Sequence, residues 1–194
     1  SGCTVWQMLP VGPVGGDGSP YQSSSAHAGD LRLVSMQTLA HDGLLSHGDV
    51  SHAAADGRAE ALVHAYGRFQ AEAADDLREY LYDFERHHAY WLDDFALFQA
   101  LHEEHQAPWW EWPEAQRDRD AAALHDLRTR LAERLSEIRF AQFLFFRQWA
   151  TLKAYANERG VRLFGDMPIF VAHDSAEVWA QRRFFHLDDQ GQPY

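Results

Sequence analysis

The chain has 194 residues, 46% apolar and 24% charged, which is globular composition with enough material for one ordinary domain. A formal net charge of −12, with no Lys/Arg cluster, argues against nucleic acid and against an anionic membrane surface, because both repel a chain of this sign. No apolar run approaches the roughly 20 residues of a membrane helix, no charged-then-apolar leader opens the sequence, and Cys3 has no partner for a disulfide; the expectation is a soluble, cytoplasmic protein.

Thr4 to Leu9 reads as a strand and is followed by a long loop, Pro10 to Asp30, rich in turn residues. Its glycines, Gly12, Gly15, Gly16 and Gly18, match neither a phosphate loop nor the dinucleotide fingerprint. Tyr21 follows Pro20 in this loop, either as a rigid ring aimed at a pocket or as a loop anchor packed on the domain. Leu31 to Val34 reads as a short extended piece. Ser35 is placed to cap a brief helix through Leu39 that ends near Gly43. Ser46 to Gly57 reads as a surface loop.

Helical periodicity then dominates, with segments expected near Glu60 to Glu72, Asp75 to His88, Tyr90 to His105 and Asp120 to Arg159. In the last, Leu124, Leu127, Leu131, Leu135, Ile138, Phe145, Trp149, Leu152 and Ala156 form one apolar face, interrupted by the polar Gln142. Around Phe143 to Phe146 the pattern is apolar on all sides, which predicts a helix sandwiched between the sheet and another layer. His102 and His105 are spaced to share a cation, but no third ligand of suitable type is placed near them, and a solvated face is the expectation. Trp109, Trp110 and Trp112 form the densest aromatic cluster. They offer either exposed indoles for sugar stacking or, as favoured here, a plug between helices.

Val161 to Phe164 reads as a buried parallel strand fed by the long helix. Gly165 then lets the backbone turn, Asp166 stands at the strand's carboxyl end, where α/β folds bind ligands, and Pro168 stops the ladder. Asp174 and Glu177 have capping-box spacing, so a helix is expected from Ser175 past Trp179. The chain opens without Met and stops at Tyr194 with nothing resembling a closing element. Two parallel strands cannot make a covered sheet, so the expectation is a piece of a larger α/β domain.

Three motifs, in order, resemble one family: Trp6-Gln7-Met8-Leu9-Pro10-Val11-Gly12-Pro13 with Gly18-Ser19-Pro20-Tyr21-Gln22; Trp91-Leu92-Asp93-Asp94-Phe95-Ala96-Leu97-Phe98; and Phe145-Phe146-Arg147-Gln148-Trp149 leading to Gly165-Asp166-Met167-Pro168-Ile169-Phe170-Val171-Ala172. They are similar to the 4-alpha-glucanotransferases, the amylomaltase or disproportionating-enzyme family of alpha-amylase-like glycosidases. The resemblance implies an α/β fold, the N-terminal part of a (β/α)8 TIM barrel containing about strands 2 and 3. It implies a barrel strand and active-face loop over 1–45, a mainly helical insertion over 46–139, and a barrel helix, strand and following loop and helix over 140–194.

It further implies retaining transfer of α-1,4-glucan segments between maltooligosaccharides, chemistry that needs two carboxyl groups about 5 Å apart. By the same resemblance those carboxylates come from later strands beyond Tyr194, so the isolated chain is expected to be inactive. Tyr21 becomes the ring packing on the sugar at the cleaved position and Asp166 the carboxylate supporting that subsite. No metal or organic cofactor is implied. Ser24 stands where the family usually has an aromatic, Asp30 where it has Asn, and Gly48 to Arg58 matches poorly. The alternative reading is a noncatalytic glucan-binding module using Tyr21 and the Trp109 cluster.

Overall fold

The computed structural model describes residues 2–15, 18–53 and 57–194; the expectations that touch Gly16, Asp17 and residues 54–56 lie outside them. Strand β1 (Val5–Gln7) leads through the long loop to a 3-10 turn at Leu31–Leu33, then α1 (Met36–His41), α2 (His47–Ala53), α3 (Arg58–Glu72) and α4 (Asp75–His105). A second 3-10 turn at Trp109–Glu111 precedes α5 (Glu114–Arg117), α6 (Ala121–Arg130) and α7 (Ala132–Glu158). Strand β2 (Arg162–Phe164), α8 (Ala176–Ala180) and a 3-10 turn at Arg182–Phe184 complete the order.

The strands pair in parallel, with Val5 beside Arg162, Trp6 beside Leu163 and Gln7 beside Phe164. They are shorter than the sequence predicts, and the expected burial is not found. Every β1 residue is exposed, and of β2 only Leu163 is half-buried. Among the described residues each strand has one paired edge, and α7 packs against β2 while the residues of β1 stay exposed.

The helical part follows the periodicity with four departures. The segments expected at Asp75–His88 and Tyr90–His105 are one helix of 31 residues, α4, because Ala89 between them is the best helix former and breaks nothing. The single segment expected over Asp120 to Arg159 is instead divided at Leu131, where α6 ends and α7 begins. No Pro or Gly marks the break. Leu124, Leu127, Leu131 and Leu135 all pack on the same core, so tertiary packing sets it. The loop expected from Ser46 contains helix α2, whose start is closed by a reciprocal cap: Asp49 N donates to Ser46 Oγ at 3.1 Å and Ser46 N to Asp49 Oδ2 at 2.8 Å. Leu31–Leu33 is helical rather than extended, because the Asp30 carboxylate caps it through Arg32 N at 2.8 Å.

Two apolar clusters hold these elements. One gathers Trp91, Phe95, Phe98 and Leu101 of α4 with Trp109, Trp112, Leu124, Leu127, Ile138 and Trp179. The other gathers α1 to α3 against Phe140, Phe143, Leu144 and Phe145 of α7. Phe84 and Phe146 pack on both. Helix α7 is therefore enclosed by α3, α4, α6 and β2, as its all-round apolar stretch predicts, and it runs unbroken across position 139/140.

Candidate active-face site

Asp166 lies two residues past β2, on an exposed segment in which Met167 is 84% and Ile169 97% accessible. The turn there does not require glycine: Gly165 has no positive φ, and nothing lies within 4 Å of where its Cβ would stand. Tyr21 lies in the loop after β1. Its hydroxyl donates to Asp166 Oδ2 at 2.8 Å, joining residues 145 positions apart. The residue is 40% accessible, so Tyr21 remains open to solvent while its polar tip is fixed. Donation to Asp166 raises the phenol's pKa above its ordinary value, since losing the proton would set two anions side by side.

The Tyr21 loop is built to hold this geometry. Gly15 N donates to Gln22 O at 3.0 Å, and Val14 bridges Ser23. Gly29, further along, admits the Phe145 ring so closely that a Cβ would lie 2.0 Å from Cδ1. Gln142, 1% exposed, accepts from Gly29 N at 2.8 Å and donates to Gly29 O at 3.1 Å. Gln148 repeats the arrangement with Ser35 N at 2.7 Å and Ser35 O at 3.1 Å. The polar interruption of the α7 apolar face is thus a clamp on loop backbone. Its sequence signal was the one polar residue at a core position; its partner could not be read from spacing.

The segment after Asp166 is fastened on the other side. Ser175 caps α8 by accepting from Val178 N, so the helix starts where expected, but neither carboxylate of the expected box serves the cap. Asp174 accepts from His102 Nε2 at 2.8 Å and from Trp109 N at 3.3 Å. Glu177 Oε1 accepts from Ser25 Oγ at 2.7 Å and Ala26 N at 3.0 Å. His173 stacks on Trp110 at 4.0 Å and bonds Gly191 O at 2.7 Å.

These contacts settle the two clusters singled out above. His102 and His105 are half-buried ties rather than a solvated face: the first meets Asp174, and the second meets Gln116 Oε1 at 2.6 Å. The hydrogen bond to Asp174 raises the His102 pKa against the opposing effect of burial. Trp109 and Trp112 are sealed in the core and Trp110 is half-buried, so the plug reading holds and the cluster offers no exposed stacking platform of three indoles. Among the departures from the family pattern, Asp30 is buried and forms a close pair with Arg32, at 2.7 Å. Ser24 contributes its carbonyl to Ala176 N at 3.0 Å, a contact any residue could make.

A family model of 4-alpha-glucanotransferase matches residues 1–193. The chain belongs to the 4-alpha-glucanotransferase family. It is 43% identical to the 4-alpha-glucanotransferase of Thermus thermophilus over 100% of this chain and 40% of that protein. With the 4-alpha-glucanotransferase of Aquifex aeolicus (strain VF5) it shares 35% identity over 99% of this chain and 41% of that one. Its fold matches the amylomaltase from Streptococcus agalactiae in complex with acarbose at a TM-score of 0.90, with 33% identity, over 97% of this chain and 41% of the other. The chain thus spans about two fifths of the length of these relatives. No helix among the described residues is long and apolar enough to cross a membrane.

Proposed function

We propose that this chain is part of a cytoplasmic 4-alpha-glucanotransferase that moves α-1,4-glucan segments between maltooligosaccharides with retention, and that Tyr21 and Asp166 form its substrate-binding contribution. The observation that carries the reading is the 2.8 Å bond between the Tyr21 hydroxyl and Asp166, which unites two separate family motifs at one point. An exposed aromatic face beside a fixed carboxylate suits a sugar ring, which stacks through its C–H face and donates hydroxyls to the acid. Acarbose in the related amylomaltase supports a sugar-like ligand for the fold.

In this reading β1 and β2 are about the second and third strands of a (β/α)8 barrel, both ending at its carboxyl face. Residues 1–45 and 140–194 supply barrel elements, and 46–139 form a mainly helical insertion. The nucleophile and acid/base carboxylates come from barrel strands outside the 194 residues, so Tyr21 and Asp166 bind and orient while other groups break the bond.

The deciding experiment incubates the full-length protein with maltotriose and follows products. Glucose together with maltooligosaccharides longer than maltotriose is the expected result; glucose and maltose alone, or no turnover, would remove the transferase reading. The purified 194-residue chain is expected to leave maltotriose unchanged.

A further inference from the structure

Between the Tyr21 loop and the segment that follows Asp166 runs a short ladder of contacts. Ala172 N donates to Ser23 O at 3.3 Å and Ala176 N to Ser24 O at 3.0 Å. The last rung is a side chain: Glu177 Oε1 takes both Ser25 Oγ, at 2.7 Å, and Ala26 N, at 3.0 Å. Ser25 is buried, and its hydroxyl in turn accepts from His27 N at 3.1 Å and Ala28 N at 3.2 Å, so the rung stiffens the loop's whole descending arm. The other oxygen, Oε2, is shielded from solvent and has no hydrogen-bond partner. One acceptor oxygen therefore makes both bonds.

The stretch from Gly165 to Phe170, exposed except for the half-buried Pro168, lies between β2 and this ladder. From these contacts we infer that Glu177 is a positioning residue for the glucan subsite, locking the two loops in the register that brings Tyr21 to Asp166. The hydrogen bonds of Glu177 go to Ser25 and Ala26 and not to the pair, so its role is transmitted through Ser25 and the backbone rungs. The consequence for turnover rests on the function proposed above; the loop register itself does not.

The test uses the full-length protein labelled with [ζ-13C]tyrosine. Tyr21→Phe assigns the Tyr21 resonance, and Asp166→Asn gives the titration midpoint of a phenol freed from its carboxylate. Glu177→Ala should shift the Tyr21 midpoint toward that of Asp166→Asn. Glu177→Gln, which keeps one acceptor oxygen, should leave it near the wild-type position. The activity of Glu177→Ala should fall by about 10- to 100-fold in kcat/KM, the range expected of a misplacement near 1 Å, with recovery in Glu177→Gln.

A Tyr21 titration unchanged in Glu177→Ala, even with a lowered Tm, would make Glu177 merely structural and overturn the inference. An equal shift in Glu177→Gln would overturn it too, since charge rather than the acceptor would then be responsible. Should Glu177→Ala fail to fold, Glu177→Asp, which keeps the charge but draws the acceptor back by one methylene, decides by the same titration: a shift supports the role and no shift ends it. If the wild-type protein lacks transferase activity the functional proposal fails, while the titration still decides the positioning role.

Discussion

At the scale of single residues, the proposed subsite divides its work between the ring of Tyr21 and the carboxylate of Asp166. Tyr21→Phe keeps the stacking face and loses only the hydroxyl that donates to Asp166. It should therefore cost the full-length protein less in kcat/KM than Tyr21→Ala, which loses both. Asp166→Ala should reduce kcat/KM by about 100-fold, the scale on which lost orientation at a reacting centre is measured; kinetics on maltotriose unchanged in both alanine variants would remove the pair from the site. Gly29 poses a different problem, since the Phe145 ring stands 2.0 Å from the position of an added Cβ and is itself buried. Gly29→Ala should destabilise the fold by about 1–3 kcal/mol, the usual cost of overpacking, readable in a denaturant titration. That Tyr21 and Asp166 belong to one place was legible through the family resemblance. Their hydrogen bond was not, because 145 intervening positions separate them.

At the scale of elements, α7 does more than present an apolar face. Gln142→Leu would leave Gly29 N and O buried without partners, and each orphaned group costs roughly 1–3 kcal/mol. A variant as stable as the wild type in urea would show that the clamp contributes nothing. Helix α4 holds the segment after Asp166 through His102, whose pKa is raised by its hydrogen bond to Asp174. Because the folded-state value is the higher, the protonated clasp contributes its full stability below the unfolded pKa, about 6.5. That contribution is lost as pH rises through the folded value. The difference in Tm between wild type and His102→Gln should accordingly be largest below about pH 6 and shrink toward alkaline pH. A gap independent of pH would assign the clasp to packing alone. The sequence marked His102 as one of a pair and placed it on a solvated face; the Asp174 partner, 72 positions away, corrected that.

At the scale of the whole molecule, two well-packed helical clusters stand beside a strand pair whose described residues are mostly exposed. Val5, Trp6, Leu9, Phe164, Met167, Ile169 and Phe170 are all exposed, a large apolar surface for an isolated chain. The purified 194 residues should bind a hydrophobic dye strongly, and the full-length protein should bind it weakly; weak binding by both would mean that these strands need no further layer. What the sequence determined by itself was local. Period 3.6 placed the helices, Ser35 and Ser175 marked caps, and motifs read in order gave the family. The unbroken passage through Ala89, the division at Leu131 and the partners of Gln142, Asp174 and Glu177 were decided only by the tertiary structure. The physical reason is range: helix periodicity and capping act within a few residues along the chain. A buried amide or carboxylate instead takes whichever backbone group the folded packing brings within 3 Å, and that choice is written in the whole sequence at once.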